Sequence, residues 1–190
     1  SELTELDDVL RSESMRRRQG LLQWLRGASA ADWQRMGLDY LERTARWRRD
    51  RARHTDKMPE NWRYAGLLRA MLPGAKIVNT RRDRLETGWS CFKQQFYSQP
   101  HFANTLEDIA AYQDDCEQAM DAWRAQDPAR IRLQSYEALV AQPEAQIRAL
   151  LDFCGLPFDA ACLDFHTAAR SVCTASAAQV RQPLQSGTAR

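Results

Sequence analysis

One short segment limits the possible folds more than any other part of the chain. Leu72-Pro73-Gly74 ends a helical pattern, and Ala75-Lys76-Ile77-Val78-Asn79-Thr80 then reads as a short buried strand. A turn at Arg81-Arg82-Asp83 follows, and a second helical pattern runs over residues 84–97. A strand set between helices points to an α/β sheet with parallel pairing. In open sheets of that kind, ligands bind in the crevice beyond the C-terminal ends of the strands. Arg82 therefore falls where a guanidinium can pair bidentately with a phosphate. Ser90, just over two helical turns further on, can add a hydroxyl donor. The same residues also suit a helix-start ion network with a small packing serine, and the residues alone leave both readings open.

The rest of the chain is mostly helical. Residues 5–26 and 31–53 carry apolar side chains at three- and four-residue steps, including Leu6, Val9, Leu10, Trp33, Met36 and Tyr40. Pro59 disfavours helical backbone at Met58 and is tolerated in a first turn, so a helix is expected over residues 60–71. Thr105 is placed to cap a helix reaching Gln126, and residues 130–133 read as a second strand. Helices over residues 136–140 and 144–154 follow, the latter stopped by Gly155. Residues 171–190 are small, polar and irregular, and read as a functional loop. Two strands are too few for a stable parallel sheet, so a further strand is expected from outside these residues.

Composition removes several classes. The 190 residues are 44% hydrophobic, enough for a buried core, and no apolar run reaches the roughly 18 residues of a membrane span. The N-terminal residues Ser1-Glu2-Leu3 lack the basic and apolar regions of a signal peptide. Lys57, Lys76 and Lys93 are the only lysines among 27 basic residues, yet the net charge is only +2. That balance is unlike a dedicated nucleic-acid binder. Five scattered cysteines without CxxC spacing offer no metal set and read as thiols of a reduced, cytoplasmic protein.

Several motifs in register resemble the sulfotransferases that use 3′-phosphoadenosine 5′-phosphosulfate, in particular the bacterial members found behind tetratricopeptide repeats, which are relatives of the tyrosylprotein sulfotransferases. The motifs are Thr55-Asp56-Lys57-Met58-Pro59-Glu60-Asn61, Leu72-Pro73-Gly74-Ala75-Lys76-Ile77, and Arg81-Arg82-Asp83 with Ser90. They continue through Ser135-Tyr136-Glu137-Ala138-Leu139-Val140, Cys154-Gly155-Leu156-Pro157, Val172-Cys173-Thr174-Ala175-Ser176 and Gln179-Val180-Arg181-Gln182-Pro183.

The resemblance implies an α/β, P-loop-type fold and sulfuryl transfer to an acceptor hydroxyl, with no metal. It implies that Arg82 and Ser90 clamp the donor's 3′-phosphate and that Tyr136 lines the adenine. The loop carrying Ser176, Gln179, Val180, Arg181, Gln182 and Pro183 would fold over the donor, with Arg190 counted among the donor-binding residues. Lys57 would meet charge on the leaving oxygen, assisted by Ser176. Glu2, with Glu5 in reserve, would be the general base. Arg82, Ser90 and Lys57 would converge on one sulfated nucleotide.

Departures temper that expectation. No Gly-rich phosphate loop of the kind that cradles the 5′-phosphosulfate occurs in these residues. Gln94 stands where tyrosylprotein sulfotransferases have an arginine. Both ends fall inside family motifs, so residues 1–190 are expected to be a partial domain. The first strand, the loop and the first helix would lie upstream, the C-terminal end would be truncated, and the piece alone would be inactive. The parent chain would supply that upstream segment and tetratricopeptide repeats. The expected partner is a hydroxyl-bearing acceptor (peptide, sugar or small metabolite), with neither nucleic acid nor membrane. The competing readings are an inactive sulfotransferase-like scaffold, a P-loop nucleotide kinase relative, and RNA binding through the arginines of residues 46–53.

Overall fold

A computed structural model describes residues 2–48, 51–94, 101–167 and 182. The chain divides into two compact units, Ser1–Ala75 and Lys76–Arg190.

The first unit is helical: α1 (Glu5–Arg17), α2 (Leu21–Leu25), α3 (Ala30–Arg43), α4 (Ala45–Arg48) and α5 (Ala65–Met71), with a 3₁₀ stretch at Pro59–Tyr64 leading into α5. Its core is Leu6, Val9, Leu10, Trp24, Met36, Tyr40 and Met71, the apolar stripes that periodicity marks on α1 and α3. Each fully buried side chain of this size contributes about 1.5–3 kcal/mol relative to exposure. Helices α3 and α5 approach so closely that a Cβ added at Gly37 would lie 2.1 Å from the Met71 carbonyl oxygen. Only glycine fits there.

Three boundaries differ from expectation. The helix expected over residues 5–26 stops at Arg17, because Arg18 takes left-handed backbone (φ 53°) and Gly20 opens α2. The helix expected to Arg53 breaks at Thr44, whose buried hydroxyl donates to the Tyr40 carbonyl at 2.8 Å. Such back-bonding competes with regular helix geometry. Pro59 starts a 3₁₀ segment rather than an α-helix.

The second unit is α/β. Strands β1 (Ile77–Arg81) and β2 (Ile131–Ser135) pair in parallel, with Ile77 opposite Ile131 and Arg81 opposite Ser135. The crossover between them carries α6 (Arg84–Lys93) and α7 (Leu106–Gln126), since a parallel pair cannot be joined by a tight turn. Helix α6 ends four residues before the expected Tyr97. Helices α8 (Tyr136–Ala141) and α9 (Pro143–Cys154) follow β2, and Gly155 (φ 63°) closes α9.

Both strands hand over to helices in the same way. Asp83 after β1 accepts the Glu86 N–H at 2.9 Å and caps α6. Ser135 at the end of β2 accepts the Ala138 N–H at 3.1 Å and caps α8. Each cap is worth about 1 kcal/mol. The parallel register therefore brings the two strand-to-helix junctions side by side. Thr105 caps α7 as expected, accepting the Asp108 N–H at 3.0 Å.

Candidate functional site

The paired strand ends place Arg82 and Tyr136 next to each other. Arg82 follows β1, Tyr136 follows β2, and the last residues of those strands are register partners. The Arg82 guanidinium lies over the Tyr136 ring, 5.3 Å from its centroid. That is a cation–π contact, which holds the guanidinium against the ring. Its edge is held as well: Arg82 Nε donates to Glu86 Oε2 at 3.1 Å, and Nη2 donates to the same oxygen. Both side chains are a little over a quarter exposed, at 27% and 29%, so the pair lies at the surface of the junction.

Glu137, the next residue on α8, ties the two junctions together. Its Oε1 accepts the Asp83 N–H at 2.8 Å, and its Oε2 accepts the Ser135 hydroxyl at 2.8 Å. Those bonds hold its carboxyl below the usual range, with the Asp83 N–H the largest cause and the Arg82 charge a smaller one. The strand end thus presents one guanidinium among three carboxylates. Asp83 and Glu137 are committed to backbone N–H groups, whereas Glu86 pairs with the guanidinium itself. Ser90 is exposed on α6, one turn beyond Glu86 on the same face.

The neighbouring arginines are not part of this group. Arg81 pairs with Asp121 at 2.8 Å and Arg84 with Asp114 and Glu117, so both brace β1 and α6 against α7. Of three arginines in a row of four residues, only Arg82 is turned to the strand end.

In the first unit, Lys57 and Glu2 meet although 55 positions separate them. Lys57 Nζ is 2.5 Å from Glu2 Oε1, and both side chains are more than half exposed. An exposed pair of this kind is worth about 0–1 kcal/mol and exchanges readily for other charges. The preceding residue, Asp56, does not pair with Lys57. Its Oδ2 accepts the hydroxyl of the core residue Tyr40 at 2.6 Å, and its Oδ1 is buried without a hydrogen-bond partner. Burial, and then the Asp56 carboxylate, push the Tyr40 phenol well above its ordinary range. The base of the turn carrying Lys57 is therefore pinned to the core. Glu5, the reserve base, is buried and accepts from Trp47 Nε1 at 2.7 Å and from Arg46 at 2.8 Å. Those bonds, Trp47 first, lower its carboxyl. It is a structural group.

Ser176, Gln179, Val180, Arg181, Pro183 and Arg190 lie outside the described residues. Gln182 is described and lies at an exposed bend.

With this geometry in view, comparison with known proteins assigns the chain. The profile described as "Sulfotransferase family" matches residues 4–160. The chain belongs to the sulfotransferase family. It is also 35% identical over 148 residues to an uncharacterised protein of Aquifex aeolicus (strain VF5). That match covers 76% of this chain and 19% of the relative, so the chain spans about a fifth of the relative's length. Among the described residues no helix is long and apolar enough to cross a membrane, and no three metal-ligating side chains form a group.

The strand end gathers a guanidinium, the aromatic ring it lies over and the partly exposed Glu86 carboxylate, with Ser90 one turn further along α6. Two contributors, Glu86 and Glu137, have no role assigned in the sequence reading. Glu86 carries a legible signal, four residues after Arg82 at ion-pair spacing. Glu137 carries none, because its partner Asp83 is 54 positions away.

Proposed function

We propose that the chain carries donor-binding and transfer residues of an enzyme that moves a sulfuryl group from 3′-phosphoadenosine 5′-phosphosulfate to an acceptor hydroxyl. The observation that carries this reading is the Arg82 guanidinium lying over the Tyr136 ring where two parallel strands end. In this reading Arg82 and Ser90 bind the 3′-phosphate, and Tyr136 both orients the guanidinium and borders the base.

Sulfuryl transfer is an in-line displacement like phosphoryl transfer. The acceptor oxygen forms a bond to sulfur as the bond from sulfur to the 5′-phosphate oxygen breaks. The acceptor proton goes to a carboxylate, with Glu2 assigned as base, and adenosine 3′,5′-bisphosphate leaves. The charge that builds on the leaving oxygen is met by Lys57 with help from Ser176. The Glu2–Lys57 pair supports this division of labour, because it sets a carboxylate beside an ammonium on a turn anchored through Asp56. The loop of Ser176, Gln179, Val180, Arg181, Gln182 and Pro183, together with Arg190, supplies further donor contacts. An upstream phosphate loop and tetratricopeptide repeats in the parent chain belong to the same proposal, as does a peptide tyrosine among the acceptors.

The test is donor turnover by the full-length gene product, read as release of adenosine 3′,5′-bisphosphate with a panel of hydroxyl acceptors. Lys57→Ala is expected to lower turnover about a hundredfold or more, as loss of a charge-stabilising donor does. Its effect on donor affinity should be small. Equal losses in both would overturn the assignment of Lys57.

A further inference from the structure

Arg82 has a useful fork only if its long side chain is fixed, and Tyr136 and Glu86 both act on it. The Tyr136 ring holds the guanidinium 5.3 Å from its centroid. Glu86 sets the direction of the fork by accepting from both Nε and Nη2. Glu86 is itself well fixed. It is the third residue of α6, its backbone N–H is bonded to Asp83, and the Asp83 N–H is bonded in turn to Glu137. A carboxylate in the first turn of a helix is also favoured by the helix dipole. Glu86 is therefore an ordered brace rather than a loose counter-ion.

We infer that Glu86 is a positioning residue: it holds the Arg82 guanidinium in the orientation that receives a 3′-phosphate, and so sets how sharply the protein separates 3′-phosphorylated nucleotides from others. The inference rests on the reading of Arg82 as the phosphate clamp and adds a requirement to it. A carboxylate beside a phosphate site has two opposing effects. It orients the guanidinium in advance, which spares the entropy of freezing a long side chain on binding. It also repels the phosphate. Around it, Asp83 caps the helix, Glu137 holds the Asp83 N–H, and Arg82 lies over Tyr136. Glutamine separates the two effects, because it keeps an acceptor oxygen at the same place and removes the charge.

The experiment is calorimetric titration of the full-length protein with adenosine 3′,5′-bisphosphate and with adenosine 5′-monophosphate. It compares wild type with Glu86→Ala and Glu86→Gln, and circular dichroism confirms that each variant is folded. Glu86→Ala is expected to weaken bisphosphate binding about three- to tenfold, the cost of ordering one long side chain on binding. Monophosphate binding should not change. Glu86→Gln is expected to bind the bisphosphate at least as tightly as wild type. Tighter binding by Glu86→Ala would make Glu86 a competitor and overturn the inference. So would equal loss for both nucleotides, no change, or a Glu86→Gln variant as weak as Glu86→Ala. Arg82→Ala serves as the control: if it leaves the preference for the bisphosphate intact, the reading of Arg82 fails. If it abolishes that preference while Glu86→Ala does nothing, only the role of Glu86 fails.

Discussion

Arginine–carboxylate pairing occurs in both units, but in opposite environments. In the first unit Glu13 is 1% exposed and is met by Arg16, Arg17 and Arg35 at 2.5–2.8 Å. At the strand end of the second unit, Arg82 and Glu86 pair while each is more than a quarter exposed. A buried carboxylate with several partners is part of the structure, because removing its partners strands a charge away from water. A partly exposed pair adds less to stability. The same chemistry thus holds the first unit together and, at the strand end, leaves a guanidinium more than a quarter exposed.

The hardest test of the first half of that contrast is packing. Gly37→Ala forces a Cβ onto the Met71 carbonyl and is expected to cost about 3 kcal/mol or more, at the upper end of overpacking effects. Thermal unfolding measures it, and an unchanged melting temperature would mean that α3 and α5 are not in this contact.

Next in size is Glu13→Gln, expected to cost about 2 kcal/mol at neutral pH through loss of charge-assisted bonds. The pairing, chiefly with Arg16, holds the Glu13 carboxyl at about 2, below its ordinary 4.5. A depressed value in the folded state adds stability that is complete above the unfolded value and is lost as pH falls through the folded one. The gap between wild type and variant should therefore narrow from about pH 5 down to about pH 2. A constant gap in urea unfolding across that range would contradict the pairing.

Ser135→Ala removes the α8 cap and a bond to Glu137, and should cost about 1 kcal/mol by the same measurement. Smallest of all, Glu86→Gln should change stability by less than about 0.5 kcal/mol, because a partly exposed pair gains little net energy. A loss as large as that of Glu13→Gln would erase the distinction between the two environments.

What the sequence disclosed follows from how local each signal is. Strand β1 and the Thr105 cap are local, and both fall close to where the residue pattern sets them. The adjacency of Arg82 and Tyr136 was also within reach, since each follows a strand and parallel strands align their ends. The break at Arg18 was not legible, because left-handed backbone there falls on an arginine rather than a glycine. Nor was the pairing of Lys57 with Glu2, or of Asp83 with Glu137, since more than fifty residues separate each pair and nothing local marks it. Asp56 adjoins Lys57 in the chain, but its carboxylate accepts from the Tyr40 hydroxyl at 2.6 Å, a partner 16 positions away.

Arg82 is the group proposed to recognise a 3′-phosphate, and calorimetry on the full-length protein tests that role most directly. Wild type is expected to bind adenosine 3′,5′-bisphosphate in preference to adenosine 5′-monophosphate. Arg82→Ala is expected to weaken the bisphosphate about ten- to a hundredfold, the worth of hydrogen bonds to a charged group, while sparing the monophosphate. A variant that keeps the full preference would contradict the account.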